Sequence, residues 1–151
     1  MKQVLRSATR AILPLLLMAA SPLAHAERWF VCSVATLNGT YAAVISGQIT
    51  TPTGPVAISG VSMGQYDGQG HTSGIDHIVR GGTQPPTGWR PSIGTYTVNP
   101  DCTGTAHGTY EDGSPPLDLH FVIAKFGATI FFVVSSPTTN ITAQAVKVEQ
   151  L

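Results

Sequence analysis

Charge is the scarcest property of this 151-residue chain: Asp, Glu, Lys and Arg together supply 11% of it. No basic cluster exists, so nucleic acid and an anionic membrane surface both lack the electrostatic footprint that would hold them. Cysteine occurs twice, too few for a paired-Cys zinc spacing, and His-Glu-x-x-His is missing, so no metal centre is expected. A Gly-rich phosphate loop and a Gly-x-Ser-x-Gly elbow are also missing, and we expect no nucleotide or other cofactor. Beyond the first residues Leu, Glu and Lys are sparse, and no long stretch repeats apolar residues at helical spacing.

What is present starts with residues 1–26. Lys2, Arg6 and Arg10 precede an apolar run from 11 to 20, and a small-residue tail ends in Ala24-His25-Ala26. That is the three-part layout of a secretory signal, with cleavage expected after Ala26. The apolar run is about half of the ~20 residues that span a bilayer, and Pro14 interrupts it. We therefore expect no membrane association after cleavage, and one domain over residues 27–151. Losing three of the eight basic residues leaves five against eight acidic ones, a mildly acidic surface. A secreted or periplasmic chain meets an oxidising compartment, where Cys32 and Cys102 are expected to pair. Two separately buried thiols are the alternative.

The remainder is rich in Gly, Thr, Ser, Val and Pro, a balance that favours strands. Short β-forming runs recur about every ten residues with turn residues between them, the spacing of a barrel or sandwich. The strands are expected at 39–47, 56–66, 70–80, 91–98, 102–110, 117–125, 128–135 and 140–148. Short joints such as Asp67-Gly68-Gln69-Gly70 and Asn99-Pro100-Asp101 make consecutive strands antiparallel neighbours. Eight meandering strands expose two edges unless the sheet closes. The expected fold is therefore all-β, an eight-stranded antiparallel up-and-down barrel, filled or able to hold one small ligand. Residues 81–90 form the longest joint and can fold over one mouth.

Three blocks carry a family likeness: Leu37-Asn38-Gly39-Thr40-Tyr41; Gly64-Gln65-Tyr66-Asp67-Gly68-Gln69-Gly70; and 94–105, Gly-Thr-Tyr-Thr-Val-Asn-Pro-Asp-Cys-Thr-Gly-Thr. With Phe121-Val122-Ile123 and Ala128-Thr129-Ile130 they resemble a family of small exported proteins with an allene oxide cyclase-like barrel. The resemblance implies a calycin-type barrel with an apolar interior, in a fold that includes carriers of lipophilic molecules and cyclases acting on polyenes. The matched residues are turn and strand residues, so they imply the fold and no catalytic group. Tyr66 stands where Phe is usual, and the Pro-rich joint before Pro91 is particular to this chain.

Single polar residues on otherwise apolar strand faces are the remaining candidates. In Ile75-Asp76-His77-Ile78-Val79, alternation puts Ile75, His77 and Val79 on one face and Asp76 and Arg80 on the other. If the apolar pair points inward, His77 is inside, where an imidazole titrating near neutrality can exchange a proton with a ligand. The competing reading is a satisfied core histidine. Asp118 and His120 share a face, but Leu119, Phe121 and Ile123 have the better claim to the interior, so that pair is expected at the surface. Tyr41 and Tyr96 combine an aromatic body with a hydroxyl. Trp89, in the long joint, is expected either to cap a ligand or to plug the barrel mouth. Val61, Met63, Ile130 and Phe132, with Phe121, complete the expected apolar lining. Asn38 and Asn140 head glycosylation acceptor triplets, which matter only in a eukaryotic source. Three functions stay open: an interior site for a small apolar ligand, a cofactor-independent cyclase or isomerase that holds a reactive conformer, and a packed barrel working through its outer surface. Nothing in the pattern sets an oligomeric state.

Overall fold

In the computed structural model, which describes residues 30–86 and 88–148, the chain forms eight strands: β1 Asn38–Thr51, β2 Gly54–Asp67, β3 His71–Arg80, β4 Arg90–Val98, β5 Thr103–Tyr110, β6 Leu117–Ala124, β7 Thr129–Val134 and β8 Thr139–Lys147. The expected signal segment lies outside these residues. Each strand pairs antiparallel with the next, and β8 pairs with β1, so the sheet closes in strand order. Closure removes both edges and with them the exposed backbone donors and acceptors of an open meander. The expected joints become the turns. At Asp67, Oδ1 accepts from the N–H groups of Gln69 (2.7 Å) and His71 (3.0 Å). Gly68 and Gly70 there take φ of 75° and 104°, values that a side chain disfavours. Among the described residues no helix is long and apolar enough to cross a membrane.

Residues paired across adjacent strands share a sheet face, so the register sets the inside. Tyr41, Tyr66, Tyr96, Phe121, Ile130 and Ala145 are buried and form a core cluster at one end of the barrel. The three tyrosines stack edge to face, with centroids 5.2 Å apart at both contacts. Two of the hydroxyls are hydrogen-bonded: Tyr41 donates to Gly127 O (2.6 Å), and Tyr96 donates to Leu37 O (2.9 Å) while accepting from Gly68 N–H (3.0 Å). The segment before β1, with a 3-10 turn at Val34–Thr36, covers this end and buries Leu37 completely. Cys32 is disulfide-bonded to Cys102, with Cα atoms 4.9 Å apart, which pins the segment to the β4–β5 turn.

The phase of β6 is the expected one: Phe121 and Ile123 are buried, and Asp118 and His120 are exposed. Asp118 pairs with His107 of β5 (2.8 Å) rather than with His120. The phase of β3 is the reverse of the expectation. Asp76 and Ile78 are buried, whereas Ile75 is 39% exposed and His77 lies on the outer side beside it. The cause is Arg90, whose guanidinium meets Asp76 inside the barrel and satisfies a carboxylate that could not be buried alone.

Candidate functional site

The closed end is packed solid, and above it the barrel is hollow. A cavity of about 440 Å³ opens toward the end that carries the β1–β2, β3–β4, β5–β6 and β7–β8 joints. This volume lies in the range of small-molecule sites. Part of the room comes from absent side chains. Gly64 and Gly108 lie on the cavity wall, and no atom lies within 4 Å of where a Cβ on Gly108 would sit.

The wall has two characters. On the side of β1 and β6–β8 it is mostly apolar, built from Ile45, Leu119, Phe132, Val134, Ile141 and Ala143, with hydroxyl side chains such as Thr50, Ser136 and Thr139 toward the mouth. On the side of β2–β5 it carries Ser62, Asp76, Arg90, Ser92 and Tyr110. Ser62, Asp76 and Arg90 form one continuous rung, since Ser62 pairs with Asp76 and Asp76 with Arg90. Ser92 and Tyr110 form a pair in the next inward layer.

Asp76 and Arg90 are each 6% exposed and meet in a two-pronged ion pair, Nε to Oδ1 at 2.8 Å and Nη2 to Oδ2 at 2.9 Å. Such fork geometry is the strong form of the Arg–carboxylate contact. Arg90 Nη1 donates to Ser114 Oγ (3.3 Å), and Asp112 Oδ2 stands 4.0 Å away. The guanidinium lies over the Tyr110 ring, 4.4 Å from its centroid, a cation–π contact. Burial acts to lower the Arg90 pKa, and the hydrogen bonds and charge of Asp76 outweigh it, so the group is held above its ordinary value. Tyr110 is pushed up to about 12, first by burial and then by the negative charge of Asp76. Near neutral pH the site therefore holds a charged guanidinium and a neutral phenol. Among the described residues no group of three or more His, Cys, Asp or Glu is arranged to hold a metal ion.

The structure separates the residues that sequence reasoning had grouped. Phe132 lines the cavity. Tyr41, Tyr96, Phe121 and Ile130 point inward but sit in the closed-end core, below the cavity. Val61 and Met63 fall on the outward phase of β2, 46% and 48% exposed, although Met63 also borders the cavity. His77, expected inside, is on the outer wall, where its Nδ1 is 3.1 Å from Gly88 O and its ring packs edge-on against Trp89 at 5.7 Å. Trp89 neither caps nor plugs the mouth; it is 52% exposed on that outer wall. Asp76, Arg90 and Tyr110 were missed as a site. The one available signal was an aspartate and an arginine 14 residues apart that would share a face if β3 and β4 form a hairpin.

Together, the closed sheet, the sealed end and the hollow end define an eight-stranded up-and-down β-barrel with an internal, single-mouthed cavity. No family model matches the sequence, and no curated protein matches it. Among solved structures, a redesigned β-barrel is similar with a TM-score of 0.53 at 15% identity, over 77% of this chain and 95% of its own. A second redesigned β-barrel, solved with DFHBI bound, gives a TM-score of 0.48 at 14% identity, over 76% and 97%. The first likeness concerns the fold alone.

Proposed function

We propose that the protein is exported and binds one small, largely apolar molecule inside the barrel. The carrying observation is the cavity of about 440 Å³, walled on one side by aliphatic and aromatic side chains and open at one end. Filling such a space with an apolar body removes that surface from water at about 25 cal/mol per Å². Export is supported by the signal-like layout of residues 1–26 and by the Cys32–Cys102 bond. The blocks that resemble exported allene oxide cyclase-like barrels support the same reading. The test is a fluorescence titration with naphthalene, in the protein and in Gly108→Leu, whose side chain would enter the cavity without meeting a neighbour at Cβ. One-to-one binding weakened roughly tenfold or more by the leucine is expected. No binding, or binding that the leucine leaves unchanged, would refute it.

A second reading, a cofactor-independent cyclase or isomerase, is favoured by one observation: ionisable Asp76, Arg90 and Tyr110 stand against the same cavity. In that case the barrel holds a reactive conformer and the cluster meets charge that develops during ring closure. Turnover of a polyene that survives replacement of Asp76 and Arg90 by Leu and Met would exclude a role for the cluster.

A further inference from the structure

The polar wall adds a chemical demand to the volume. Arg90 has five N–H donors, and three of them are used by described residues, two on Asp76 and one on Ser114. Two remain. A carboxylate has about four acceptor sites; on Asp76 two are taken by Arg90 and a third is directed to the Tyr110 hydroxyl. The pair can therefore still donate and still accept. The charges around the pair also balance: Asp112 stands 4.0 Å from Arg90 Nη1, and Arg80, which also lines the cavity, acts on Asp112 with its positive charge.

These features discriminate between ligand groups. A second anion would find Arg90 already neutralised and would stand close to Asp76, a repulsion that low polarity strengthens. A cation would meet Arg90 with the same difficulty. A carbonyl or ether can only accept, so it uses half of what the wall offers. A hydroxyl both donates and accepts, and it brings no charge into a low-dielectric space. Across the cavity, Leu119 pairs with Val134 and Phe132 with Ala143, and neither pair has a polar side-chain atom. The ligand body that faces them must be hydrocarbon.

We infer that the cavity selects an uncharged alcohol or phenol, its hydroxyl on the Asp76–Arg90 pair and its hydrocarbon body against the wall formed by β1 and β6–β8. This rests on the cavity being the binding site, and the experiment separates the two claims. Naphthalene, 2-naphthol and 2-naphthoate are titrated near neutral pH against the full chain and against the Asp76→Leu/Arg90→Met double variant, which keeps volume and removes both charges. In the unaltered protein 2-naphthol is expected to bind about tenfold more tightly than naphthalene, the worth of a hydrogen bond to a charged partner. 2-Naphthoate is expected to bind no better than naphthalene. The double variant should bind naphthalene at least as well and lose the preference for 2-naphthol. Equal affinity for naphthalene and 2-naphthol, or tighter binding of 2-naphthoate than of 2-naphthol, overturns the inference and leaves the cavity reading standing. A preference that persists in the double variant also overturns it. Failure of all three probes overturns the cavity reading itself. The ranking in the unaltered protein decides the matter even if the double variant does not fold.

Discussion

Removing one partner of the Asp76–Arg90 pair should be far more damaging than removing both. With Asp76→Leu the guanidinium keeps its buried position but loses both short contacts, 2.8 and 2.9 Å. Breaking a buried pair in this way costs about 3 to 5 kcal/mol, because an uncompensated charge is left in low dielectric. One side of the pair faces a cavity open at its mouth, where water can relieve the bare charge, so the lower end, about 3 kcal/mol, is expected. The stack on Tyr110 survives that change and so adds nothing to the loss. Arg90→Met strands the carboxylate instead and forfeits the stack as well. It should cost at least as much. The double variant replaces an ion pair with hydrocarbon of similar size, an exchange that ranges from neutral to stabilising by about 1 to 4 kcal/mol. Urea denaturation of the four proteins, followed by far-UV circular dichroism, gives the cycle directly. If each single substitution costs under about 1 kcal/mol, or if the double variant loses the sum of the singles, the pair is effectively solvated and our reasoning about the low-dielectric wall fails.

Three further outcomes are expected. Reducing the Cys32–Cys102 bond, which closes a separation of 70 residues, should lower stability by about 4 kcal/mol, measured by denaturation with and without reductant; free thiols in the untreated protein would contradict the pairing. Phe121→Ala removes a 3%-exposed ring packed against Phe132 at 5.8 Å and should cost about 3 to 5 kcal/mol, whereas His120→Ala, at an exposed position, should stay within about 0.5 kcal/mol; the reverse order would refute the strand phase. The raised pKa of Tyr110 is a stability statement about alkali: a phenol whose folded pKa is about 12 against 10.0 contributes fully below pH 10, and that contribution, about 2 to 3 kcal/mol at most, is lost as pH rises toward 12. Tyr110→Phe should flatten the decline in an alkaline denaturation series.

The strands were legible because β-forming runs and turn residues alternate at a regular interval, and closure followed from their number. The ends of β1 and β2 were not, because the hairpin continues pairing through Thr51 and Gly54, past the point where side-chain preference stops signalling a strand. The phase of β3 was misread for a definite reason. Alternation supplies two faces, and the more apolar one, with Ile75 and Val79, was assigned to the interior. In this barrel part of the interior is polar: Asp76 is buried because Arg90 reaches it from the next strand, while the outer surface carries exposed Val44, Val61, Met63, Ile75 and Ile93. Hydropathy ranks faces within one strand and is blind to a partner on another. The same blindness hid which of the tyrosines belong to the packed end and which to the cavity, since Tyr41, Tyr66, Tyr96 and Tyr110 share one inward phase and differ only in height along the axis.

That difference in height has a transport consequence. The tyrosine stack, Leu37 and the disulfide-tied segment stopper one end, so the lumen is a blind pocket and not a conduit. A solute cannot traverse it from end to end; what enters past the rim must leave past the rim. Entry and exit therefore share one barrier, and changes to the joints that form that rim should slow or speed loading and unloading together while leaving their ratio, the affinity, where the walls put it.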